Sequence, residues 1–150
     1  MYANPLSEIY IFSERLYEGK TIRCAPDLAI EAPWNPLQII CIEYERHQKK
    51  TTRYDDKWTA YEYDPNVSRV LYVVPNQILL DRLSRHVTEH FFRRTLGEAE
   101  FSIGFVTYDD LMSKGRDAKA RCHFVGETYE IEVHHVLHQA EIDDGPLTRF

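Results

Sequence analysis

The chain has 150 residues, 43% of them hydrophobic and 28% charged, which is ordinary globular composition and enough chain for one domain with a real core. No apolar run approaches the ~20 residues needed to cross a bilayer, and Met1-Tyr2-Ala3-Asn4-Pro5 is no basic-then-apolar leader, so no membrane association and a cytoplasmic location are expected. A formal net charge of −6 argues against a general nucleic-acid coat, and three cysteines without CxxC spacing argue against a disulfide scaffold or a four-cysteine zinc site.

In chain order, Ile9, Tyr10, Phe12, Leu16 and Tyr17 follow near-helical spacing over 7–18, with Ser7 as N-cap and Gly19 as stop. Two extended pieces, 21–24 and 28–30, flank Pro26-Asp27, and Pro33, Asn35 and Pro36 mark a turn. The run Leu37-Gln38-Ile39-Ile40-Cys41-Ile42 opens a strand over 37–45 that is too continuously apolar for an exposed edge. Residues 49–63 turn polar, with Tyr54, Trp58, Tyr61 and Tyr63 at i, i+4, i+7 and i+9, which predicts an amphipathic helix. A second buried strand spans 68–74. Pro75-Asn76 then starts a helix from Gln77 to about Phe92, with Ile78, Leu79, Leu83, Val87 and Phe91 as its apolar stripe. Residues 101–107 form a third strand and 109–112 a short turn or helix, while 121–125 and 128–133 read as a hairpin. This alternation predicts an α/β fold with a mixed central sheet flanked by helices over 1–140, followed by a polar tail at 141–150.

Ligands in such sheets sit at the carboxyl ends of strands, so the residues leaving the 37–45 strand carry the most information. Glu43 and Glu45 are at i, i+2 and share one face. Two like charges on a buried strand repel, and each must be desolvated, so a cation has to neutralise them. Asp27 precedes this strand in the preceding extended segment, and sequential strands usually neighbour in space, so Asp27, Glu43 and Glu45 are expected to converge. Three oxygen donors suit Mg²⁺ or Mn²⁺. Lys49 and Lys50 follow closely enough to reach back to the strand end. The plainer alternative has both glutamates in solvent, paired with Arg46 or Lys49.

Pro26-Asp27, Glu43-Tyr44-Glu45 and Lys49 resemble the PD-(D/E)xK nuclease-like superfamily, and more closely the replication-relaxation family of plasmids and other mobile elements. The likeness runs over about 26–105 and includes the helix from Lys50 to Tyr63 and the strand ending at Val74-Pro75. It implies a restriction-endonuclease-like core, here followed by the C-terminal hairpin. It further implies a metal-dependent DNA endonuclease, with Asp27, Glu43 and Glu45 on the metal, Lys49 assisting the water, and Glu14 (or Glu8) added from the first helix. The superfamily's usual lysine position is Glu45 here, with Lys49 displaced from it, so a non-cutting module that binds DNA or a protein partner in replication, conjugation or phage–host conflict is the alternative. The winged helix that often precedes the core in this family is not expected in this chain.

Arg46, Lys50 and Arg53 cluster where strand meets helix and are candidates for phosphate contacts. A solvated helix start reads equally well, although cations there oppose the helix dipole. Arg82 and Arg85 share a polar helix face, with Arg93 and Arg94 beyond it. Tyr54, Trp58 and Tyr61 read as a buried stripe before they read as base-stacking residues. His134, His135 and His138, with Cys122 and His123 upstream, hint at a transition metal but supply no matched fourth ligand.

Overall fold

A computed structural model describes residues 26–32, 35–91, 102–124 and 127–137. Expectations for the first helix with Glu14 and Glu8, for 21–24, for Arg93, Arg94 and His138, and for the tail lie outside the described residues.

Six strands make one mixed sheet in sequential order. They are β1 (Leu28–Ala32), β2 (Asn35–Tyr44), β3 (Val67–Val74), β4 (Ser102–Thr107), β5 (Lys119–Phe124) and β6 (Glu127–Glu132). β1 pairs antiparallel with β2, while β2, β3 and β4 run parallel. β5 and β6 then continue antiparallel. The parallel pairs need crossovers, supplied by α1 (Thr51–Glu62) and α2 (Gln77–His86). Two consecutive crossovers of the same hand and direction put both helices on one face. There Tyr54, Trp58 and Tyr61 of α1 join Leu79, Leu80 and Leu83 of α2 over Ile39, Cys41, Val70 and Tyr72. The opposite face carries Ile40, Ile42, Leu71, Val73 and Val106. It is covered by α3 (Tyr108–Lys114) and α4 (Val133–Leu137), through Leu111, Val133, Val136 and Leu137.

Asn35 and Pro36 are strand residues, not turn. Ala32 pairs with Asn35 across a tight connection, and the register then slips between Glu31 and Ala32. β3 joins β2 only from Ile39 onward, so a proline at 36 removes no hydrogen bond on that side. The helix read as reaching Phe92 ends its regular α turns at His86 and runs on as a π turn, Val87–Phe91. Ile78 leaves the apolar stripe and is exposed, its place taken by Leu80, because a stripe through 79, 83 and 87 carries 80, not 78, toward the sheet. Asn76 caps α2 by accepting a hydrogen bond from the Leu79 N–H at 2.9 Å. Cys41 and Cys122 are buried, whereas Tyr63, the residue that ends α1, is exposed and not part of its buried stripe. Among the described residues no helix is long and apolar enough to cross a membrane.

Candidate functional site

Because β2, β3 and β4 run parallel, their carboxyl ends share one edge of the sheet. Glu43 and Glu45 leave β2 there, on the face covered by α1, and both are buried, at 5% and 4% exposure. The solvent-facing part of the plainer alternative is therefore excluded, while its pairing with Lys49 holds for Glu45, and these charges must be met inside the protein. Two lysines and two tyrosines meet them. Lys57 Nζ lies 2.9 Å from Glu43 Oε1, and the Tyr61 hydroxyl donates to the same oxygen at 2.5 Å. Lys49 Nζ lies 3.0 Å from Glu45 Oε1. Tyr54 accepts a hydrogen bond from the Lys49 N–H at 2.9 Å, and its hydroxyl is also bonded to Glu45.

The β1–β2 register, Leu28 opposite Ile42 and Ala29 opposite Cys41, carries Asp27 to a place opposite Glu43 on the same face. Asp27 Oδ2 accepts from the N–H of Tyr44 at 2.7 Å, which pins the carboxylate between the two glutamates along the chain. Its charge reaches Glu43. Asp27 itself is exposed.

Burial dominates the electrostatics. It raises Glu43 above the usual carboxylate range; the Tyr61 hydrogen bond and Lys57 pull it down, and Asp27 adds a further upward push. Burial likewise pushes Tyr54 up to about 12 and raises Tyr61 and Tyr72, with the glutamate charges adding to it. These phenols remain hydrogen-bond donors at neutral pH. Since Glu43 holds its proton more tightly folded than unfolded, its ionisation at pH 7 costs stability. Glu43→Gln keeps the shape and removes that pH-dependent cost, so between pH 4 and pH 7 the variant should gain more stability, or lose less, than wild type as the pH rises, with a lower Tm than wild type contributed separately by the Lys57 ammonium it leaves unpaired. Calorimetric melts at the two pH values that show the same pH slope in variant and wild type would contradict this balance.

A cavity of about 320 Å³ opens beside the pair, lined by Glu45, Lys49, Arg53, Tyr54, Asp56, Lys57 and Tyr72. Arg53 thus joins the site. Lys50 stays at the surface, where its carbonyl accepts from the Arg53 N–H at 3.0 Å and opens α1. Arg46 turns to the other face, its guanidinium 5.6 Å from the centre of the Tyr44 ring, and that ring meets Tyr108 edge-on at 5.9 Å. The residues that sequence reasoning passed over are Lys57 and Tyr61. Their spacing on α1 is the helical i, i+4, one turn apart above Glu43, but a single lysine among polar helix residues gives no sign of whom it meets.

As a metal site the arrangement is a pair more than a cage. Lys57 and Tyr61 draw Glu43 one way, while Lys49 and Tyr54 draw Glu45 the other. Among the described residues only Glu132, His134 and His135 bring three donor atoms within 4.8 Å of one another. Asp27 stands opposite Glu43 in the strand register with its Oδ2 on the Tyr44 N–H, and the cavity lining includes Glu45 but neither Asp27 nor Glu43. No family model, no curated protein and no solved structure matches the chain.

Proposed function

We propose that this chain is a DNA-associated protein with a PD-(D/E)xK nuclease-like core, of the mobile-element or phage kind, that hydrolyses phosphodiester bonds with Mg²⁺ or Mn²⁺. The observation that carries the reading is the placement of Asp27, just before β1, against the end of β2, where its carboxylate accepts from the Tyr44 N–H next to Glu43, beside two lysine ammoniums on the carboxyl edge of parallel strands. Asp27 and Glu43 would hold the ion, which when bound supplies an acidified water and charge neutralisation at the phosphate. Tyr61 fixes the Glu43 carboxylate by its hydrogen bond. Glu45 positions Lys49 at the rim of the cavity, where an ammonium can meet the negative charge that develops on a phosphate. Arg53 in the cavity wall and Lys50 beside it suit the flanking phosphates.

The test is nicking of supercoiled plasmid in Mg²⁺ or Mn²⁺. Wild type should nick; Asp27→Asn and Glu43→Gln should lose at least about a hundredfold, since removing a ligand should cost no less than disturbing its support. Equal nicking by wild type and Asp27→Asn would remove the enzyme reading.

A second reading rests on the lysines themselves. Both glutamates already carry an ammonium, at 2.9 and 3.0 Å, so each is neutralised without a metal. That is the arrangement of a nuclease-like module that binds DNA or a protein partner without cutting. It gives no nicking under any metal, and a DNA gel shift weakened by Arg53→Ala.

A further inference from the structure

We propose that Glu132, His134 and His135 form a separate site for a divalent transition-metal ion of the zinc class. The donor atoms of the three side chains all lie within 4.8 Å of one another. The His134 Nε2 contacts Glu132 Oε2 directly, and the rings of His134 and His135 lie with centroids 4.1 Å apart.

The backbone holds them there. Glu132 ends β6, and α4 begins at the next residue. Val133, Val136 and Leu137 are buried in the core beneath the sheet, which leaves the two histidines half-buried at the surface. Two hydrogen bonds fix this turn: the Val133 N–H donates to the carbonyl of Ala118 at 2.8 Å, and the buried Arg69 guanidinium donates to the carbonyl of Val136 at 2.6 Å. The donors are thus carried on rigid, packed backbone, which limits the ordering that binding would otherwise have to supply.

The donor chemistry selects the ion. Two imidazole nitrogens and one carboxylate oxygen suit Zn²⁺, Co²⁺ or Ni²⁺, whereas Mg²⁺ and Ca²⁺ prefer oxygen alone. Three protein ligands leave a coordination position open, as in catalytic zinc sites. A simple ion pair between Glu132 and His134 accounts for two of the residues but not for the second imidazole packed against the first. β6 is four strands from β2 in the sheet order, roughly 19 Å at the usual strand spacing, so this site is independent of the Asp27–Glu43 pair.

The experiment is calorimetric titration of the full chain, stripped with chelator, with Zn²⁺ and with Mg²⁺, and Co²⁺ absorption as a spectroscopic probe of nitrogen ligation. Wild type should take up one Zn²⁺ per chain and ignore Mg²⁺ here. His134→Ala and His135→Ala should each weaken zinc binding by at least about a hundredfold, and Asp27→Asn should bind as wild type. His135→Gln, milder for folding, should lose affinity while its circular dichroism stays native. No zinc uptake by wild type, or uptake unchanged in the folded histidine variants, overturns the assignment.

Discussion

Trp58→Ala should destabilise the protein by about 4 kcal/mol, near the top of the range for a core aromatic. Trp58 is fully buried and is the hub of the aromatic layer between α1 and the sheet. Its ring meets Tyr54, Tyr72, Phe91 and Phe105 at centroid distances of 5.5 to 6.3 Å. The indole N–H donates to the Tyr72 hydroxyl at 3.1 Å. Alanine leaves a void that the four packed rings cannot close, and it strands a buried phenol without its donor. The consequence reaches the site, because Lys57 and Tyr61 ride on the same helix and hold Glu43 only while α1 is seated. Urea unfolding should show the midpoint falling with the slope unchanged. Trp58→Phe should cost much less, as it keeps most of the ring contacts and loses the indole N–H with only part of the ring volume. Equal losses in the two variants would mean that ring volume is not what seats α1.

Acidification from pH 7 to pH 4 should cost the fold about 3 kcal/mol through one residue. His123 is buried between Ser84, whose hydroxyl lies 2.8 Å from Nε2, and Thr128, 3.0 Å from Nδ1. Burial, with the nearby Arg121 charge, lowers it from 6.5 to about 4. The unfolded chain therefore takes a proton near pH 6.5 that the folded chain refuses until about pH 4. Stability from this group is complete above pH 6.5 and drains away as the pH falls through that window. Glu43 opposes the trend, since its raised pKa favours the folded state on protonation. Thermal melts should show Tm dropping by roughly 6–12 °C. His123→Gln should be less stable at pH 7 but nearly flat over the same interval; an unchanged pH slope in that variant would assign the loss elsewhere.

Periodicity made most of the elements legible. The apolar run at 37–42 pointed to a strand covered on both faces, and β2 is one from Ile39 onward, while Leu37 at the start of the run is exposed. The i, i+4, i+7 spacing of Tyr54, Trp58 and Tyr61 could serve only a helix with one buried face. Turn chemistry was harder. Asn35-Pro36 looks like a turn because both residues favour one, yet the connection to β1 is tight enough to place them in the strand, and β3 starts too late to need the missing N–H. The long helix read at 77–92 passes through a π turn that no residue type announces.

The candidate site divides along the same line. That Glu43 and Glu45 share a face follows from the two-residue repeat of any strand, and that they need cations follows from charge in a buried strand; both are properties of local sequence. Which cations answer depended on how α1 lies over the sheet. Its packing brought Lys57 and Tyr61 to Glu43, while Lys49, just ahead of α1, meets Glu45. The convergence of Glu132 with His134 and His135 likewise required Val133, Val136 and Leu137 to be buried together. Strand and helix periods are written in near neighbours along the chain, whereas ion-pair partners are chosen by side chains that meet only after the layers have packed.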